Sequence, residues 1–204
     1  MTHETLKPDL WTPRSAAQTI DVYDKWAQAY DSDLAEKRYL TPARLAEALA
    51  PHLPQDARPV LDFGCGTGLS GAALAALDIG PLHGTDITQA MLDQAAPKGL
   101  YDTLWHAEPG VLKVTKGTYR AIVATGVVSL GAAPPETMDL LLDALAPGDL
   151  LAMSFNDPTL EDGSYDAHLS RHLDCGRACL VSRAHGPHLE DIGMGSDVMV
   201  LRAT

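Results

Sequence analysis

Apolar positions recur along this chain at two periods, and the change of period divides it. In the first part the period is helical. Ser15, with Gln18 three residues on, has the form of a capping box. Ala16, Ile20, Tyr23, Ala27 and Tyr30 follow at spacings of four and three, which places them on one helix face. Thr41-Pro42 predicts a second helix, with Thr as N-cap and Pro in the first turn, ended by Pro51 and Pro54. Residues 1–14, which hold Pro8 and Pro13, read as a loose lead-in.

From residue 59 short apolar runs alternate with helical stretches. Strands are predicted at Val60–Phe63, Leu82–Asp86, Thr103–Ala107, Tyr119–Val128 and Leu150–Phe155. The run from Tyr119 is β-branched and nearly uncharged, the pattern of a strand buried on both faces. Helices are predicted over Leu69–Leu77, from Thr88 to about Ala96, after Pro134-Pro135 (carrying Met138, Leu141, Leu142 and Leu145), and over Asp162–Asp174. Cys179–Ser182 and Val198–Leu201 form a closing strand pair with no helix between them. The pattern is that of an α/β, Rossmann-like, doubly wound sheet of seven mostly parallel strands, with an antiparallel C-terminal edge and N-terminal helices. Residues 1–56 read as a helical cap and 57–204 as the sheet domain. There is no internal repeat.

Composition narrows the partners. The chain has 204 residues, enough for a sizeable core without staples. No apolar run approaches the roughly 18–20 residues of a membrane span, and Met1–Asp9 lacks an apolar signal segment. The 3 cysteines, an odd number, do not suggest a disulfide framework. A cytoplasmic protein is expected. The formal charge of −12, with no cluster of Lys and Arg, speaks against a nucleic-acid partner.

The candidate chemistry lies at the first strand, Gly-rich turn and helix. Glycines there supply backbone angles other residues resist and admit a ligand close to the main chain. In open α/β sheets ligands sit beyond the carboxyl ends of the strands. Gly66-Thr67-Gly68-Leu69-Ser70-Gly71 also satisfies the dinucleotide pattern G-x-G-x-x-G, so the glycines alone leave a nicotinamide reading open. Asp86, ending the second strand, suits ribose hydroxyls in either case. Asp62, inside the first strand, favours a cationic ligand over a pyrophosphate. No Tyr is followed four residues later by Lys, a pairing common in one dehydrogenase group.

Val60-Leu61-Asp62-Phe63-Gly64-Cys65-Gly66-Thr67-Gly68 resembles motif I of the class I S-adenosylmethionine (SAM)-dependent methyltransferases. Gly84-Thr85-Asp86-Ile87-Thr88-Gln89-Ala90-Met91-Leu92 resembles the next motif, and Leu145-Ala146-Pro147-Gly148-Asp149 the turn before the fifth strand, which usually ends Gly-Gly. Val22–Asp31 is similar to the N-terminal helix of a small-molecule subgroup. Residues 20 to 155 together are similar to the methyltransferase-like protein 27 branch. The resemblance implies SAM as cofactor. Gly64, Cys65, Gly66 and Gly68 would form the loop beside methionine and ribose, and Asp62 would lie near the methionyl amine. Asp86 would hold the ribose, Ile87 and Met91 would pack at the adenine, and Ala107-Glu108 would lie at its edge. Tyr23, Trp26, Tyr30 and Tyr39 would close over the methionine end, although aromatics at helical spacing are as readily core.

Arg120 departs from the family pattern, where Asp often follows the aromatic. Ala124-Thr125-Gly126 lacks the Asn/Asp-Pro-Pro-aromatic signature of amine-modifying DNA and protein-glutamine methyltransferases. His168, His172, Cys175 and Cys179 lie at helical spacing, but Gly176 interrupts them and no zinc pattern matches, so no metal is expected. His185 and His188, in a Gly/Pro loop, read as solvated, and Cys65 as a small filler. Methyl transfer from a sulfonium is an in-line displacement that needs alignment and exclusion of water. No residue is assigned as a base. The expected function is methylation of an unidentified small molecule; a catalytically silent SAM-binding partner or sensor is the alternative.

Overall fold

Ser15 opens the first helix as its pattern predicts. In the computed structural model, which describes residues 8–54 and 56–204, Ser15 Oγ accepts from Gln18 N at 3.3 Å and Gln18 Oε1 accepts from Ser15 N at 2.9 Å. This starts α1 (Ala16–Trp26). Of the expected lead-in, residues 1–7 lie outside the described residues, while Pro8–Trp11 form a 3-10 turn with Leu10 buried. The predicted apolar face does not run on to Tyr30. The helix stops at Trp26 and α2 (Tyr30–Glu36) begins afresh, with Trp26 Nε1 donating to Asp33 Oδ2 at 2.8 Å across the break. In α3 (Thr41–Leu49) the cap position falls on Leu40, not Thr41. The Thr41 hydroxyl is instead engaged by His188 Nδ1 at 2.8 Å and Ser196 Oγ at 3.0 Å.

The sheet follows: β1 (Val60–Phe63), α4 (Leu69–Ala75), β2 (Leu82–Asp86), α5 (Gln89–Ala95), β3 (Thr103–His106), β4 (Ala121–Ala124), α6 (Thr137–Ala144) and β5 (Leu150–Asn156). It closes with α7 (Asp157–Asp162), α8 (Ser164–Asp174), β6 (Ala178–Leu189) and β7 (Met194–Ala203). The seven strands run in the order β3-β2-β1-β4-β5-β7-β6. The first five are parallel, and β7 is antiparallel to both β5 and β6. The direction of the order reverses between β1 and β4, the switch point where α/β sheets bind ligands.

Two differences from the periodicity have physical reasons. β4 is shorter than the apolar run because the chain turns at Thr125-Gly126, where Gly126 has φ 69°. β6 and β7 extend well beyond the predicted pair. β6 is an edge strand, largely exposed, so its pattern shows His185, Gly186 and Pro187 in place of apolar alternation. Pro is tolerated there because an edge strand leaves half its N–H groups unpaired, and the register shifts at Pro187/Leu189.

One sheet face is covered by α6 and α8 around Met138, Leu141, Phe155, Tyr165 and Leu169. The other is covered by α3 and α4, with Leu45, Ala46 and Leu49 packed against Val60, Leu82, Val123 and Val200. Residues 41–49 therefore belong to the sheet's own covering layer. The N-terminal segment is also tied to the C-terminal hairpin: Leu40 N donates to His188 O at 2.9 Å, and Tyr39 bridges Leu189.

The departures from the family pattern are knots at the amino ends of the central strands β4 and β5. Arg120 donates to the carbonyls of Pro54, Asp56 and Gly80. Buried Asp149 accepts from Ala146 N at 3.0 Å and pairs with Arg58 at 2.7 Å. Among the described residues no helix is long and apolar enough to cross a membrane.

Candidate cofactor and acceptor site

Gly64, Gly66 and Gly68 all have positive φ, 67°, 53° and 93°. A Cβ at Gly64 would overlap Val127 Cγ2, so this position needs Gly for both angle and space. The loop is fixed by its own backbone and by one side chain. Gly64 N and Cys65 N both donate to Thr85 O, at 2.8 and 2.9 Å. Asp86 accepts from Gly66 N through Oδ2 at 2.9 Å and from Thr88 N through Oδ1 at 2.8 Å. Burial pushes its carboxyl upward, and these two N–H groups counter that. Asp31 of α2 takes Thr67 Oγ1 and Lys98 Nζ, which holds the N-terminal helices on the loop.

A cavity of about 640 Å³ opens above the carboxyl ends of β1, β2 and β4. Of the residues the sequence nominated, Gly64, Gly66, Asp86 and Ile87 line it, as do Met91, Ala107, Tyr23 and Tyr30. Trp26 and Tyr39 line a smaller adjoining space of about 60 Å³, which Tyr23 and Tyr30 share. Trp26 is also a core residue, 4% exposed, with its ring centroid 4.6 Å from that of Tyr30. Burial raises the phenol pKa of Tyr23, Tyr30 and Tyr39, so all three remain neutral hydroxyls.

Four nominated residues do not line either space: Asp62, Cys65, Gly68 and Glu108. Asp62 lies beneath the loop, fully buried, with Oδ2 accepting from Ser70 Oγ at 2.6 Å and Tyr101 OH at 2.7 Å. Its Oδ1 is buried without a partner, and burial lifts the carboxyl to about 6. Cys65 is buried, and its thiol is pushed well up by burial, which suits an inert filler. Glu108 points to solvent, 71% exposed, and pairs with Lys113 at 3.4 Å; Pro109 and Gly110 line the cavity there instead.

Several residues escaped the sequence reading. Tyr101 props the loop from below. Gly71, the third glycine of the dinucleotide-like pattern, leaves room for it: a Cβ there would overlap the Tyr101 hydroxyl. The G-x-G-x-x-G match thus has a packing origin. His188, expected in solvent, is 7% exposed and lines the smaller space, its Nδ1 engaged by Thr41. Burial drives its pKa down to about 4, so the imidazole is neutral at neutral pH. His185 is the exposed one, 58%, paired with Asp197 at 2.9 Å. Arg14 and Tyr165 also reach the main cavity. Their sequence neighbourhoods carry no motif that would have marked them.

A family model described as a methyltransferase domain matches residues 60–149, from β1 through the turn before β5. Over this stretch the chain is similar to the class I methyltransferases. Human methyltransferase-like protein 27 is 35% identical over 142 residues, 68% of this chain; the aligned part spans 58% of that protein's length. The fold is similar to that of the [4+2]-cyclase SpnF, at TM-score 0.72 and 15% identity over 94% of this chain and 98% of SpnF. It is also similar to a SAM-dependent methyltransferase from Thiobacillus denitrificans solved with S-adenosyl-L-homocysteine, at TM-score 0.56 and 16% identity over 80% and 91% of the two chains. Methyltransferases of this class take the methyl group from SAM, and the cradle fits that cofactor. Asp86 lines the cavity beside the glycine turn, and Gly64 lines it where a side chain would collide with Val127.

Proposed function

We propose that this methyltransferase transfers the methyl group of SAM to a small, largely apolar acceptor. The supporting observation is the continuity of the cavity. It runs from Gly64 and Asp86, past Thr125 and Gly126, to a far wall of Leu130, Ala133, Pro134, Leu140 and Tyr165. Its volume is in the range of small-molecule sites. Arg14 and Thr19 from the N-terminal segment form its polar edge, and Tyr23 and Tyr30 cover the junction.

In this reading Asp86 accepts from the ribose hydroxyls, Ile87 and Met91 pack on the adenine, and the glycines admit the methionine chain. SAM supplies an activated methyl group. The residues around it align the acceptor for in-line attack and exclude water. His188 borders the adjoining space next to Tyr23 and Gly126 as a neutral imidazole with Nδ1 engaged by Thr41, and its low pKa makes it a polar wall of that space and not a base. The three free cysteines fit a cytoplasmic setting.

The test is where a label goes. The protein is incubated with methyl-labelled SAM and a cell extract split into small-molecule, protein and nucleic-acid fractions. Label in a dialysable product is expected. Label confined to protein or nucleic acid overturns the acceptor class, and binding without any transfer supports the silent-partner reading.

A further inference from the structure

His168 and His172 stand one turn apart on α8, and both are buried, 7% and 5% exposed. Asp139 faces them from α6. Its Oδ2 lies 2.8 Å from His168 Nε2, and its Oδ1 lies 3.4 Å from His172 Nε2. The three ligand atoms fall within 4.8 Å of one another. His172 Nε2 is buried and forms no hydrogen bond; the 3.4 Å approach is not aligned for one. A buried nitrogen left bare in this way is destabilising, and something that satisfies it is worth seeking.

We propose that Asp139, His168 and His172 form a binding site for a divalent transition metal of the zinc class, with water completing the coordination. Two imidazoles and one carboxylate suit zinc and its neighbours, whereas calcium and magnesium favour oxygen ligands throughout. Spacing of i, i+4 puts both histidines on one helix face, as in other helical zinc sites. Tetrahedral zinc with bonds of about 2.0–2.1 Å places ligand atoms about 3.3 Å apart, and the two Asp139 distances of 2.8 and 3.4 Å bracket that spacing. The carboxylate is already oriented: Arg177 donates to Asp139 Oδ1 at 2.9 Å, to Asp139 O at 3.0 Å and to Asp143 Oδ1 at 2.6 Å. Such outer hydrogen bonds are usual around ligating carboxylates.

One contact competes. Arg171 Nη2 lies 2.5 Å from His168 Nδ1, and donation there keeps the ring proton on Nε2. Metal entry displaces Arg171, an exposed residue, and moves the His168 proton from Nε2 to Nδ1. Cys175 and Cys179, which sequence spacing grouped with the histidines, are exposed and outside the triad. The site joins α6 to α8, whose Leu140 and Tyr165 form the far wall of the cavity, so its role is structural. It goes beyond the methyl-transfer reading and does not depend on it.

Zinc chloride is titrated by calorimetry into untagged full-length chain freed of metal by chelation. Saturation near one ion per chain, with micromolar or tighter affinity, is expected, and cobalt(II) should give the visible spectrum of a four-coordinate site. His172→Gln leaves the Asp139–Arg177 contacts in place and should weaken zinc at least tenfold. Arg171→Ala should tighten it severalfold; unchanged or weaker binding there counts against His168 as a ligand. No saturable binding below about 100 µM, unchanged affinity in His172→Gln, or loss of binding in a Cys175→Ser/Cys179→Ser variant overturns the proposal.

Discussion

The cofactor half of the cavity comes mainly from one continuous stretch, Phe63 to Met91, whereas the far half gathers Arg14, Thr19, Leu130, Leu140 and Tyr165 from across the chain. The first half works through backbone: glycines at positive φ, N–H groups and one carboxylate that ties them together. The second works through side chains whose neighbours in sequence lie elsewhere. A common cofactor can be held by a local and repeatable device. An acceptor is recognised by whatever surface the distant segments present.

Asp86→Ala breaks the cofactor half most strongly. It removes the expected ribose acceptor and the clamp on Gly66 and Thr88, and binding should weaken on the order of 100-fold by calorimetry.

Asp62→Asn tests the scaffold under the loop. Burial raises the Asp62 carboxyl to about 6 from its ordinary 3.8, so the folded state holds its proton more tightly than the unfolded chain does. Its contribution is therefore fully present below about pH 4 and is lost as pH rises through 6. Denaturant melts should show wild type losing about 2 kcal/mol relative to Asp62→Asn between pH 4 and 7. A difference that stays flat with pH would place the carboxyl in contact with water. The smallest effect is expected at Glu108→Ala, within about twofold in cofactor affinity, since that side chain is solvated and paired only with Lys113.

What was legible in the sequence follows the same division. The Ser15 capping box, the glycine turn and Asp86 all act within a short span, so spacing alone located them. Parallel strands buried on both faces announced themselves as apolar runs. The β6–β7 hairpin was read at Cys179–Ser182 and Val198–Leu201 but not to its full length, because the exposed edge strand β6 has no apolar face to display. His188 and Tyr101 were out of reach for a related reason. His188 is buried by Tyr39 and Thr41, from the opposite end of the chain. Tyr101 finds Asp62 only once β1 and β2 have paired beside it. Asp62 itself was visible, but its position beneath the loop, away from the cavity lining, depended on those contacts.

The most direct test is a crystal structure with S-adenosylhomocysteine bound. The ribose hydroxyls are expected about 3 Å from the Asp86 carboxylate, with the sulfur at the junction by Tyr23 and Gly126, facing the wall of Leu140 and Tyr165. Cofactor bound away from Asp86, or with its sulfur turned from that wall, would contradict a SAM cradle that opens onto a small-molecule acceptor site.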